Sequence, residues 1–316
     1  MALFQSGLAI KRSQYGNNVH IRNKKTLNNT LFASSIGIDY IVFDFEGKAY
    51  DITPSELSKV LQKLEKIDGS SKIIVTVAAR ADRFGIRTAH SDLDDFIELS
   101  ESFTNLGFCL VAGNSAYLNE VEKSKSVFEI VNLGQYISDR SSNSLDIFVG
   151  TENCINPTLA ILQNFSENGY KHKYIPFVLK SETSVKEAEI IRNKFSREFN
   201  FALYAPYLYT NSENAITKKL CEYILRRKKA QCDLGLTPLN CDELTKLEKS
   251  DDKNNLLRNY AENLSLYGDF NTISNEISTL HKNGFNIIVG LTLNVDLKQI
   301  LTLKRACLRA NELLLA

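Results

Sequence analysis

The chain has 316 residues, 43% of them hydrophobic and 24% charged, with 38 Lys and Arg against 37 Asp and Glu. That length supports one large core, and the near-zero net charge removes the electrostatic argument for a nucleic-acid partner or an anionic membrane surface. The six cysteines (Cys109, Cys154, Cys221, Cys232, Cys241, Cys307) form no CxxC pair, which argues against a zinc site.

The chain repeats one local pattern. A helical stretch ends in glycine and an apolar run follows at once: Gly37 before Ile38 to Phe43, Gly107 before Phe108 to Val111, Gly169 before Tyr174 to Val178, and Gly284 before Phe285 to Val289. Glycine at a helix C′ position takes the left-handed conformation at little cost. The apolar run after it reads as a strand buried on both faces, as in parallel sheets.

In chain order the core strands are expected near Phe4–Ile10, Tyr40–Phe45, Ile73–Ala78, Phe108–Ala112, Asp146–Val149, Tyr174–Leu179, Phe201–Tyr207 and Asn286–Leu291. Phe128–Val131 reads either as an extra strand or as a helix end. The spacing of Leu57, Val60, Leu61 and Leu64 predicts a helix, with Thr53 as N-cap, Pro54 at N1 and Glu56 at N3. Ser184 with Glu187 starts another helix, running to about Phe199. Asn271-Thr272 opens the helix that ends at Gly284.

Residues 211–268 break the rhythm and read as a helical insertion rich in Lys and Arg (Lys218, Lys219, Arg226, Arg227, Lys228, Lys229). The basic cluster reads as a solvated helix face or, more sharply, as an anion site for a phosphate tail. The expected architecture is α/β: a (β/α)8 TIM barrel, one domain over residues 1–316, with that insertion between strands seven and eight. The segment from Met1 to Ile10 is too short and too weakly apolar for a secretory leader, and no window approaches a membrane span. A cytoplasmic protein with no membrane partner is therefore expected.

Barrels bind ligands at the C-terminal ends of their strands, and that rule selects the candidate site. After strand two, alternation puts Asp44 and Glu46 on one side, as a proton carrier, a Mg²⁺ pair or simply the start of a polar loop. After strand three, Arg80, Arg83, Arg87 and His90 form a loop suited to a phosphate or carboxylate, with surface Arg–Asp pairing as the plainer reading. Strand four ends in Gly113-Asn114 and strand five in Gly150-Thr151, where small residues allow close ligand approach. On strand seven, Tyr207 or Tyr209 is placed to line a ring pocket. His20, His172 and His281 lie in polar contexts and are expected at the surface. No GxGxxG, Walker, HExxH or GxSxG motif is present.

The order of parts resembles the bacterial-luciferase-like family of flavin- or F420-dependent oxidoreductases, especially its methylenetetrahydromethanopterin reductase branch. Asp146-Ile147-Phe148-Val149-Gly150-Thr151 is similar to that family's fifth strand. Gly268-Asp269-Phe270 through Ile277 and Gly284 to Val289-Gly290 resembles its closing helix cap, helix and last strand, and Gly37 to Val42 its glycine-led second strand. The chain departs from the family at Asp44-Phe45-Glu46, where an acid–histidine pair is usual, at the reduced Ala112-Gly113-Asn114 loop, and at Phe270-Asn271 in place of Thr-Pro. The resemblance implies hydride transfer with F420 or FMN on a small-molecule substrate by a homodimer. Asp44, Glu46 and His90 would then handle protons, and Arg80, Arg83, Arg87, Gly113, Asn114, Gly150, Thr151 and Tyr207 would hold the cofactor. Two other readings stay open: a diverged barrel serving as a binding or assembly subunit, and a Mg²⁺-dependent lyase or aldolase using Asp44, Glu46 and Arg80.

Overall fold

The computed structural model describes residues 4–11, 19–44, 52–67, 69–79, 87–112, 120–151, 155–167, 171–195, 198–210, 216–237, 251–293 and 296–315. Their strands are β1 (Gln5–Ile10), β2 (Tyr40–Phe43), β3 (Lys72–Ala79), β4 (Leu106–Ala112), β5 (Asp146–Thr151), β6 (Lys173–Leu179), β7 (Phe201–Tyr209), β8 (Leu266–Gly268) and β9 (Phe285–Thr292). Strands β1 to β7 pair in sequence order, all parallel, and β9 joins β7 to β1, which closes an eight-stranded ring. The fold is a (β/α)8 barrel. Each ring strand lies within two residues of an apolar run read from the sequence.

The helices are α1 (Val19–Ser35), α2 (Pro54–Lys66), α3 (Arg87–Ser102), α4 (Glu120–Arg140), α5 (Ile155–Glu167), α6 (Ser184–Lys194), α7 (Lys218–Ile224), α8 (Lys228–Leu234), α9 (Asp251–Leu264), α10 (Phe270–Lys282) and α11 (Leu297–Leu315). Local chemistry sets their ends. Thr53 and Glu56 form the capping box expected of them, and Leu57, Val60, Leu61 and Leu64 are the buried stripe of α2. Asp269, ahead of the expected Asn271, caps α10 by accepting from Thr272 N–H at 2.7 Å. Helix α6 stops at Lys194, short of Phe199. Phe128–Val131 lies inside α4, so that run is helix.

Two of the four glycines, Gly37 (φ 79°) and Gly284 (φ 89°), hold the left-handed conformation that ends a helix. Gly107 does something else. It is the second residue of β4 and faces the barrel axis, where a Cβ would lie 2.4 Å from the Asp146 carbonyl oxygen of β5. The close approach of two strands, not a helix end, requires glycine there. Gly169 lies outside the described residues.

Alternation along the strands splits the core in two. Ala9, Tyr40, Val42, Ile74, Cys109, Phe148, Ile175, Phe177, Ala202, Ile287, Val289 and Leu291 fill the barrel axis. The opposite faces, among them Leu8, Ile41, Ile73, Phe108, Ile147, Leu203 and Ile288, pack under the helices. Burying both faces is what makes these strands read as continuous apolar runs.

Strand β7 runs past the ring. Its end, Tyr207–Tyr209, pairs with β8 on the side opposite β9, continuing the edge that β6 leaves at Leu179. Helices α7, α8 and α9 fold on this extension around their own core of Leu208, Leu220, Ile224, Leu234, Leu257 and Tyr267. Among the described residues of the basic segment, Lys218, Lys219, Arg226, Lys228 and Lys229 are exposed. His172, expected at the surface, is 2% exposed, because its Nδ1 accepts from the Leu145 N–H at the foot of β5. His281 is half-buried, with Nδ1 3.1 Å from the Phe285 carbonyl oxygen, whereas His20 is exposed.

Candidate active site at the barrel mouth

The sequence-selected Asp44 is the first residue after β2, and its parity with Tyr40 and Val42 turns its side chain to the axis. Its N–H donates to Ile10 O at 3.1 Å, which extends the β1–β2 ladder by one step and fixes the carboxylate at the mouth. Asp44 Oδ2 accepts from the Tyr204 hydroxyl at 2.6 Å, a charge-assisted bond. Lys11, the first residue after β1, brings its Nζ to 3.8 Å from the same oxygen. The three groups come from β1, β2 and β7 and are largely buried. Half-buried Val111 and the buried Phe177 and Leu291 supply apolar wall at the upper ends of β4, β6 and β9. Cys109 lies below, hydrogen-bonded to the Thr76 side chain, and burial first, then the Asp44 charge, push its thiol far up. It is therefore a neutral, inert thiol.

Below the mouth the axis is a column of rings. Tyr204, Phe177, Phe148 and Tyr40 stack edge to face, with successive centroids 5.6, 5.3 and 5.3 Å apart. The column ends at the floor on a second carboxylate: Asp146 Oδ2 accepts from the Tyr40 hydroxyl at 3.1 Å and from Lys72 Nζ at 2.7 Å. Burial and then Asp146 raise the Tyr40 phenol far above its ordinary value, so it stays a donor. The floor set is satisfied within itself.

The other sequence candidates fall unevenly. Gly150 is near the upper end of β5 on the axis side; a Cβ there would lie 3.0 Å from the Phe177 carbonyl oxygen, so the glycine serves the β5–β6 contact. Thr151 is the last residue of β5, beside Ala112. Arg87 and His90 lie in the first turns of α3. Glu46, Arg80, Arg83, Gly113 and Asn114 lie outside the described residues. Tyr207 points the other way from the expectation. It is fully buried beneath α11 beside Cys307, and its hydroxyl has no hydrogen-bond partner among the described residues. The tyrosine that lines the mouth is Tyr204, of opposite parity on the same strand. Tyr209 lies beyond the ring, its main-chain N–H and C=O both held by the Gln299 side chain at 2.8 Å.

Tyr204 and Lys11 were not among the sequence candidates. Alternation sets Tyr204 with Ala202 and Pro206 but does not say which set meets the axis, and the signal for Lys11 was its place one residue past an apolar run. A buried pair outside the axis was also missed. Lys180, directly after β6, is 5% exposed, and its Nζ lies 2.7 Å from Glu276 Oε1 on α10 and bonds the Glu262 carbonyl on α9. Burial raises the Glu276 carboxyl, and Lys180 works against that. The contact ties the insertion to the barrel wall.

Among the described residues no three His, Cys, Asp or Glu side chains gather as a metal set, and no helix is long and apolar enough to cross a membrane. Solved structures share the fold over nearly the whole chain. An F420-dependent secondary alcohol dehydrogenase in complex with an F420-acetone adduct is 11% identical, with TM-score 0.58, over 96% of this chain and 98% of that one. The oxygenating constituent of 3,6-diketocamphane monooxygenase from Pseudomonas putida, a type II Baeyer–Villiger monooxygenase in complex with FMN, is 12% identical with TM-score 0.58 over 96% and 97%. The monooxygenase RslO1 from Streptomyces bottropensis is 10% identical with TM-score 0.54 over 98% of each chain. At such identities the likeness is one of fold alone. No curated protein matches the chain. A family of unknown function (DUF7388) matches residues 18–299, and the chain belongs to that family.

Proposed function

We propose that the chain is a luciferase-like oxidoreductase, a cytoplasmic homodimer that uses F420 or FMN to transfer a hydride to or from a small-molecule substrate. The observation that carries this reading is the Asp44–Tyr204 pair, a carboxylate and a phenol 2.6 Å apart at the catalytic end of the barrel. The donor set suits a flat, partly apolar ring: Val111, Phe177 and Leu291 offer wall, and Asp44, Tyr204 and Lys11 offer one compact polar edge.

In this reading Arg80, Arg83 and Arg87 hold the cofactor's phosphate, and Gly113, Asn114, Gly150 and Thr151 let its ring approach the backbone. The bound cofactor supplies the hydride chemistry. Tyr204 then takes the proton of a substrate hydroxyl as its own passes to Asp44, and the reverse transfer serves a carbonyl. Lys11 steadies the carboxylate. Glu46 and His90 complete the polar rim. Tyr204 takes the ring-lining part that the sequence assigned to Tyr207.

The test is a fluorescence titration of the purified protein with F420 and with FMN, then a turnover assay with the cofactor that binds. Micromolar binding of one of them, with turnover reduced about a hundredfold in Tyr204→Phe and Asp44→Asn at unchanged cofactor affinity, is expected. A folded protein that binds neither cofactor sinks the proposal and leaves the diverged, non-catalytic barrel.

A further inference from the structure

Seven large apolar side chains are exposed among the described residues, and four of them, Leu297, Leu301, Leu308 and Leu315, lie on α11. Scattered exposed leucines need no account, but these are not scattered. At about 100° per residue, Leu297, Leu301 and Leu315 fall within roughly 20° of Leu308, so the four form one straight seam along the solvent face. The opposite side of the helix, Ile300, Leu303, Ala306, Cys307 and Ala310, is buried on the barrel. The helix is thus apolar on two sides, and among the described residues only one of them is covered.

The seam is self-complementary. Leu301 and Leu315 stand seven residues before and after Leu308. Arg305 and Glu312, both exposed, stand three before it and four after it. On the helical projection these two charges lie roughly 60° and 40° from Leu308 in the same sense, hence on the same flank of the seam. A two-fold axis through Leu308, perpendicular to the helix, pairs each leucine with a leucine and brings each Arg305 opposite the other copy's Glu312. The Arg309–Glu312 bond, 2.8 Å along the helix, holds that carboxylate on the flank. Opposite charges at mirror positions on one flank are what an isologous antiparallel contact requires, and a parallel pairing would carry the two copies' flanks to opposite sides of the seam and lose both pairs.

We infer that α11 is the dimer interface of this protein, an antiparallel helix pair formed with a second copy of the chain around Leu308. This deepens the homodimer part of the proposal above and is independent of which cofactor the barrel takes. The seam is short beside the roughly 800 Å² per partner of stable complexes, so the association is reversible and concentration-dependent.

Sedimentation equilibrium of the full chain tests it. The wild type is expected to dimerise, and Leu308→Lys, which sets two cations together on the axis, to abolish dimerisation while the circular dichroism spectrum of the folded protein is unchanged. Arg305→Glu and Glu312→Arg should each weaken association about tenfold, because each introduces two symmetric like-charge contacts. The double reversal R305E/E312R should restore it to within about threefold of wild type. A dimer untouched by Leu308→Lys, or a double variant no tighter than the single ones, overturns the assignment of this face while leaving the homodimer standing. A wild type that stays monomeric overturns both and gives the seam to a different protein.

Discussion

His172 gives the fold a measurable dependence on pH. The imidazole is buried, accepts the Leu145 N–H at Nδ1, and is held down from 6.5 to about 4 by burial first and by neighbouring Lys171 second. The folded state therefore keeps the ring neutral where the unfolded chain protonates it. Stability from this group is complete above pH 6.5 and is lost as pH falls towards 4, because the unfolded state binds the extra proton in that window. A depression from 6.5 to about 4 corresponds to roughly 3 kcal/mol in total, of which about 2 kcal/mol is gone by pH 5. Most carboxylates titrate below that, and one raised by burial, such as Glu276, is shared by the wild type and the variant below, so their difference isolates the histidine. The assay is urea unfolding across that interval for the wild type and for His172→Asn, whose amide oxygen replaces Nδ1 as acceptor but does not titrate. The wild type should lose about 2 kcal/mol and the variant little. Equal slopes for the two proteins would refute the reasoning.

Other perturbations test the rest of the core by urea unfolding. Phe148→Ala removes the ring that links Tyr40 to Phe177 on the axis and should cost about 3–5 kcal/mol, since neighbours on closed strands cannot collapse into the gap. Gly107→Ala forces a Cβ against the Asp146 carbonyl and should cost about 1–3 kcal/mol through backbone displacement of β4 and β5; no measurable change would show that the strands are free to separate. Glu276→Ala strands the Lys180 ammonium in a buried place and should cost about 3 kcal/mol, whereas Lys180→Met, which leaves only the partly exposed carboxylate, should cost clearly less. Equal costs would mean that Lys180 is hydrated after all.

The barrel was legible because burial on both faces leaves a strand with few polar residues to confuse the reading, and eight such runs at helical intervals have few architectures open to them. The site was legible only as far as the rule that ligands meet strand ends. Alternation along β7 separates Ala202, Tyr204 and Pro206 from Leu203, Ala205 and Tyr207, but no local signal says which set meets the axis. That is fixed by the ladders to β6 and β9. Gly107 was misread for a similar reason: its constraint comes from Asp146 on another strand, which spacing does not reveal. His172 carries polar neighbours in sequence and an apolar environment in space. Strand β8 has three residues and no periodicity to detect.

The ring column also explains why two carboxylates can serve one barrel in different capacities. Tyr204, Phe177, Phe148 and Tyr40 stand between mouth and floor, and Asp44 and Asp146 each find their partners locally. At the floor Asp146 has a bonded ammonium at 2.7 Å and a phenol whose proton is held more tightly than usual, a set with nothing left to exchange. At the mouth the ammonium of Lys11 stands off at 3.8 Å and the shorter bond, 2.6 Å, is the one to the phenol. In the function proposed above, a carboxylate bonded more closely to a transferable proton than to a fixed charge is what proton transfer at the loop-bearing end of the barrel requires. On that proposal, the packed rings of the lower axis form the floor on which the mouth groups stand.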